Sequence, residues 1–329
     1  MAKHALSKMK RWLRKIAGGL PKLFKGEIPG VTKEIRKTRE EIIKNRILIV
    51  QPRIREFQHI SPLSSLKEIE FQVFSQWGED GIIQYLISRI EVPNKVFIEF
   101  GVEDYKESNT HFLLINNNWR GLVLDRNRKN ITRIQKSELY WRYNLSAICA
   151  LVTKDNICNL IQEAGIGGDI GILSIDIDGN DYWIWEAIPS TLISPRIVVV
   201  EYNSVFGKHK AISVPYCDDF TRGSAHFSHL YYGASIKALW LLGKHKGYVF
   251  IGSNSAGNNA FFVRQDVAQG LPNLRWDQGY VESQFRESRD KNGNLNFING
   301  SARLDLLKDL FVVDIETGET KKILDTFIN

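Results

Sequence analysis

The sequence predicts an α/β fold built on a doubly wound, mostly parallel sheet, and three features carry that expectation. Short apolar runs recur through the middle of the chain, among them KVFIEFG at 95–101, GLVLD at 121–125 and RIVVVEYN at 196–203. They are continuously apolar rather than alternating, as in strands covered on both faces. Helical patterns separate them, and several runs end in an acid, a glycine or an asparagine.

The elements follow in order. GEDGIIQYLISR at 78–89 has helical apolar spacing, and 95–101 is a strand running into Gly101. A helix is expected at 110–117, a strand at 121–125 and a helix at 155–164 after the apolar run at 147–152. Strands at 170–178 and 196–203 flank a helix at 182–188, whose Trp183 and Trp185 read as packing residues. A helix at 235–246 precedes two strands, 248–252 and 260–264, joined by the polar turn SNSAGNN and expected to pair antiparallel at one edge. Near the C-terminus, LFVVDI, ETGET and KKIL read as strand, turn and strand of a hairpin.

Three segments result: a basic helical arm and linker at 1–63, the α/β domain at 64–266 and a C-terminal extension at 267–329. Of 329 residues, 43% are hydrophobic and 25% charged, an ordinary globular composition. The net charge of +7 is unevenly placed. Residues 1–56 hold 16 Lys and Arg against 5 Asp and Glu, or +11, which leaves 7 − 11 = −4 for the rest. Basic character therefore belongs to the arm.

Within residues 3–25, Leu6, Met9, Trp12, Leu13, Ile16, Leu20 and Leu23 recur at helical spacing among lysines and arginines. Such a helix suits an anionic membrane surface, and it equally suits packing on its own domain or a partner. The main domain is net acidic and lacks an aromatic-basic strand pattern, so no nucleic acid is expected. A homo-oligomer is allowed but not required. Three cysteines without metal-type spacing, no apolar run of transmembrane length and no secretory leader point to a cytoplasmic protein, with the inner membrane face as a peripheral location.

Ligands of doubly wound sheets bind at the carboxyl ends of the strands. Those ends here carry Glu99, Gly101 and Glu103, then Asp125, then Asp176 and Asp178, then Glu201 and Asn203. Asp125 follows Gly101 by 125 − 101 = 24 residues, the spacing at which an acid grips ribose hydroxyls. The turn EFGVEDYKESNT has one glycine where a pyrophosphate loop needs three, and it crowds acids where phosphates would sit. That argues against NAD and ATP and permits a ligand with ribose, a cationic centre and no phosphate, such as S-adenosylmethionine.

SIDIDGNDYWIWEAI at 174–188 places Asp176 and Asp178 at alternate strand positions, hence on one face, and Asp178 and Asp181 are catalytic candidates, Asp181 also being able to cap the next helix. Two chemistries fit. Asp178, Glu201 and Asn203 could hold a Mg2+-type cation that lowers the pKa of a substrate hydroxyl. Without a metal, a carboxylate or a histidine, His226 or His229 of the segment after strand five, could act as general base.

FSQWGEDGII, VFIEFGVEDYKESNT, LVLD, LVTKDNI, SIDIDGNDYWIWEAI, VVVEYNS, YYGAS and GNNAFFV occur in an order that resembles the FkbM-like branch of class I S-adenosylmethionine-dependent methyltransferases. The resemblance runs from about Phe71 to Asp266, and IDIDGNDYWIW followed by EYN is its most specific part. It implies O-methylation of a sugar, glycan or related small-molecule hydroxyl. By the same resemblance Glu99 and Gly101 form the methionine and ribose side of the cofactor pocket and Asp125 binds the ribose, and Asp176 at the neighbouring strand end is a further cofactor-site candidate. Gln76 and Asp80 would meet the cofactor's amino-acid end, and Asn156 the adenine.

Two rival readings stand beside it. Asp176-Ile-Asp178 has the D-x-D spacing of metal-dependent glycosyltransferases, but its neighbours are acidic rather than basic. A non-catalytic, methyltransferase-like binding protein is the other.

Overall fold

The computed structural model describes residues 29–60, 63–284 and 287–327. The amphipathic stretch at 3–25 lies outside the described residues. The chain divides into two compact units, Met1–Pro52 and Arg53–Asn329. The first contributes most of helix α1 (Pro29–Glu56), whose charged surface carries i,i+4 pairs such as Arg36–Glu40.

The second unit is the α/β body. Its elements run α2 (Glu79–Arg89), β1 (Val96–Phe100), α3 (His111–Asn116), β2 (Arg120–Asp125), α4 (Arg128–Gln135), α5 (Glu138–Arg142) and β3 (Leu145–Cys149). Then come α6 (Ile157–Glu163), β4 (Gly168–Ile175), α7 (Asp181–Ala187), β5 (Ile193–Glu201), β6 (Ile212–Ser213) and α8 (Arg222–Ala225). Helix α9 (Ile236–His245) leads into β7 (Tyr248–Ser253) and β8 (Asn259–Arg264), and β9 (Phe311–Asp314) and β10 (Thr320–Lys322) lie near the C-terminus.

Seven strands form one sheet in the order β3-β2-β1-β4-β5-β8-β7. The first five are mutually parallel, β8 runs antiparallel to β5, and β7 antiparallel to β8. This is the doubly wound, mostly parallel architecture expected from the sequence, with the antiparallel pair at the edge where it was expected.

Continuous apolarity has the anticipated cause. Ile98, Phe100, Val198 and Val200 face one core with Trp185 and Leu239, while Phe97, Ile172, Ile197 and Val199 face another with Ile82, Leu86 and Leu113. Alternate side chains of each strand are thus buried on opposite faces, and truncating one such Leu or Ile to Ala costs about 2–5 kcal/mol.

The chain order reverses between β1 and β4. Strands β2 and β3 lie on one side of β1, and β4 and β5 on the other. A crevice opens at such a reversal, beyond the carboxyl ends of the strands.

Three features of the fold depart from or extend the sequence reading. Strand β4 stops at Ile175, so Asp176 and Asp178 lie in the turn beyond it rather than alternating along it. Helices α4 and α5 were not anticipated. The C-terminal hairpin forms, β9 with β10, but it also pairs with β6 to make a second sheet, and the Tyr231 hydroxyl donates to the Phe311 carbonyl. The extension is therefore packed on the segment that follows β5.

Candidate active site

Backbone proximity fixes the centre of the site. Gly101 has φ +77, and a Cβ there would lie 1.6 Å from the Asp176 carbonyl oxygen. Only glycine permits the ends of β1 and β4 to approach this closely. A cavity of about 670 Å3 opens above that contact. Gln76, Glu99, Gly101, Asp125, Asp176, Asp178, Glu201 and His229 all line it.

Some of these acids also hold the cavity's walls. Glu99 accepts hydrogen bonds from Ser108 Oγ (2.6 Å), Asn109 N (2.8 Å), Thr110 N (3.1 Å) and the Thr110 hydroxyl. Burial nonetheless pushes its carboxyl above the usual range, with these donors opposing. Asp125 sits at the end of β2, accepting from Glu103 N at 2.9 Å and Asn127 N at 2.7 Å. Asn130 Nδ2 adds a second, 3.5 Å contact to the oxygen that Asn127 N holds, so the Oδ2 facing Glu103 N is the one that retains a lone pair for a further donor.

Asp181, Asp80, Asn156, His226 and Asn203 do not line the cavity, which corrects their assignment as contact residues. Asp181 is fully buried and accepts from Ile177 N and Gly179 N, each at 2.9 Å, so it shapes the turn that carries Asp176 and Asp178. Burial raises its pKa to about 6. Asp80 does the same for another segment, accepting from Val73 N, Phe74 N and Ser75 N at 2.7, 2.6 and 3.0 Å, and burial again raises its pKa to about 6. Asn156 bonds Leu151 O and Thr153 N and so folds the loop whose Ala150, Leu151 and Val152 form a cavity wall. His226 bonds Ser228 at 2.7 Å. Asn203 is fully buried away from the cavity, where it donates to Leu230 O (2.8 Å) and Tyr232 O (3.0 Å) and accepts from Val205 N, so it is not among the cation ligands.

What converges instead is Asp176 with Asp178 and Glu201, whose carboxylate oxygens lie within 4.8 Å of one another. Asp178 adopts φ +59, a left-handed turn that aspartate tolerates better than most residues. Glu201, at the end of β5, is 7% exposed, and its Oε2 has no hydrogen-bond partner. Burial drives its carboxyl far above the usual range, repulsion from Asp176, Asp178 and Asp181 adds to this, and Arg222 opposes it. Asp176 keeps part of its surface open but is deep enough for burial, then Asp178, to raise it in the same direction.

The cation facing this cluster is Arg222 of α8, which the sequence reading missed. It lies 3.5 Å from Asp178, stacks 4.2 Å from the centre of the Tyr232 ring and donates to the His229 carbonyl. His229 Nδ1 in turn lies 3.9 Å from Glu287 Oε1. Arg222 belongs to no motif. Its only signal was an acidic strand end that needs a counter-charge, together with an arginine in the long segment after β5.

Nine carboxylates line the cavity, namely Glu99, Glu103, Glu107, Asp125, Asp176, Asp178, Glu201, Asp218 and Glu287, against Arg126, Arg222 and His229. The wall after β3 is apolar, and Leu151 there is 42% exposed.

No protein-family profile matches the chain, and no curated protein matches it significantly. Solved structures do. An S-adenosylmethionine-dependent methyltransferase from Clostridium acetobutylicum ATCC 824 is 9% identical, with TM-score 0.36 over 56% of this chain and 90% of that one. The O-methyltransferase from Bacillus cereus, in complex with S-adenosylhomocysteine, is 10% identical, with TM-score 0.35 over 64% and 89%. TrmK of M. capricolum, also with S-adenosylhomocysteine, is 13% identical, with TM-score 0.32 over 64% and 75%.

Proposed function

We propose that the protein is an S-adenosylmethionine-dependent methyltransferase of the FkbM-like kind, acting on a hydroxyl of a sugar or related small molecule. The observation that carries this reading is the charge of the cavity: nine carboxylates at the carboxyl ends of a doubly wound sheet, facing two arginines. Acidity of that density repels a pyrophosphate and attracts a ligand with a sulfonium and an ammonium group.

The residues divide the work. Asp125 takes a ribose hydroxyl on the lone pair that Oδ2 keeps open, and Leu151 and Val152 cover the flat base. Glu99 holds the 108–110 turn, and Gln76 presents an exposed amide at the cavity rim. S-adenosylmethionine held there would supply a methyl group made electrophilic by its sulfonium, with a neutral thioether as leaving group. His229, oriented by Glu287, receives the acceptor's proton. Trp77, Phe220 and Tyr232 offer aromatic faces and Asn109, Asn130 and Asn258 carboxamides, a lining suited to a polyhydroxylated ring.

Calorimetric titration tests the reading. S-adenosylmethionine and S-adenosylhomocysteine should bind, Asp125→Ala should weaken both at least 10-fold, and NAD, ATP and nucleotide sugars should give no heat. Binding of a nucleotide sugar with silence from both S-adenosyl compounds would overturn it.

A further inference from the structure

We infer that Asp176, Asp178 and Glu201 form a binding site for one divalent cation of the Mg2+ or Mn2+ type, beside the methyl-transfer position. The inference rests on the functional reading above for its purpose but not for its geometry. Among the described residues, this group brings three carboxylates together with their oxygens within 4.8 Å of one another. A cation bonded to oxygen at about 2.0–2.6 Å spans a similar distance between its ligands.

A cluster of acids could be mere surface, and Glu201 separates the two cases. The residue is 7% exposed, it lines the cavity, and its Oε2 finds no donor. A buried carboxylate oxygen without a partner costs about 1–3 kcal/mol or more, so the fold retains it against its own stability. Glu99, Asp80 and Asp181 are as deeply buried but accept backbone donors, and Asp80, whose Oδ1 is also unpartnered, takes three of them on its other oxygen.

Charge and ligand chemistry specify the ion. Three carboxylates face one guanidinium, that of Arg222, which lies 3.5 Å from Asp178. The deficit is two positive charges. Every ligand is an anionic oxygen, with no sulfur or imidazole among them, which favours a hard cation over zinc or copper. Asp178 is exposed on the cavity side, so the open coordination positions face the space where the acceptor's hydroxyls would lie. A cation there would hold those oxygens and ease loss of the reacting proton. Asn203, the ligand suggested by sequence order, is replaced by Asp176.

The test uses the full chain stripped with EDTA and titrated with Mn2+, followed by calorimetry and by the loss of the free-ion paramagnetic signal. One Mn2+ per chain is expected, displaced by excess Mg2+. Glu201→Gln and the exposed-site variant Asp178→Asn should each weaken it at least 10-fold while melting as cooperatively as the parent. S-adenosylmethionine is titrated in EDTA on the same samples. No Mn2+ binding, or binding unchanged in both variants, overturns the cation site, whatever the cofactor does. Mn2+ binding without S-adenosylmethionine binding upholds the site and removes the methyltransferase reading.

Discussion

The two ends of the central sheet treat charge in opposite ways. At the amino end of the parallel strands, Asp169 of β4 receives Arg196 Nε at 3.0 Å on both oxygens and Arg264 Nη1 at 3.0 Å, while Arg264 also grips Asp266 at 2.7 Å. Two cations meet two anions. Burial would raise the Asp169 carboxyl, yet the hydrogen bonds from Arg196 and Arg264 hold it below its ordinary range. At the carboxyl end, three acids meet one arginine, and burial and mutual repulsion drive Asp176 and Glu201 the other way. Strand β5 carries both situations, Arg196 near its start and Glu201 at its end. Neutralised charge marks where the sheet is being held together. Charge left unneutralised marks where something else is meant to bind.

The comparison can be broken most severely through the backbone. Gly101→Ala would place a methyl group 1.6 Å from the Asp176 carbonyl at a φ of +77, so the ends of β1 and β4 must separate. A loss on the order of 4 kcal/mol or more is expected, read as a drop in denaturant midpoint or failure to fold.

The buried acids that serve the site's scaffolding give the next effect. Asp80 has a folded pKa of about 6 against an unfolded value of 3.8. Its folded form therefore holds the proton more tightly, and the stability this confers is present below about pH 4 and lost as pH rises through 6. Asp80→Asn should flatten the fall in unfolding free energy between pH 4 and 7 by about 2–3 kcal/mol relative to the parent. Parallel slopes would show that Asp80 is charged throughout.

Asp169→Ala should destabilise by about 1–2 kcal/mol. It strands Arg196, whose side chain is 12% exposed, but Asp169 itself is 41% exposed, so solvent screens much of the pair. The loss should shrink in 1 M salt, which denaturant titration at two ionic strengths would reveal. Smallest and opposite in sign, Glu201→Gln should stabilise metal-free protein at pH 8 by about 1 kcal/mol, because an amide replaces a carboxyl whose ionisation burial and its acidic neighbours oppose.

Much of this architecture was legible in the sequence, for a physical reason. Strands buried on both faces must be apolar throughout, so Phe97–Phe100 and Val198–Val200 announced themselves, and the antiparallel edge followed from the short turn between β7 and β8. The strand ends were legible too, since Gly101, Asp125, Asp176, Asp178 and Glu201 all reach one cavity. What stayed hidden depends on side-chain direction. Asp80, Asp181 and Asn203 carry the right chemistry, but backbone donors two to seven residues away, or carbonyls from a distant loop, turn them inward. Arg222 and Glu287 come from segments with no periodicity, placed only by the tertiary packing after β5.

The most direct test of the charge asymmetry is the thermal midpoint of Glu201→Gln beside Asp169→Asn, both in EDTA at pH 8. Glu201→Gln should melt about 2 °C or more above the parent and Asp169→Asn below it. If both melt below the parent, the acids at the carboxyl end are structural after all, and the distinction between the two ends of the sheet fails.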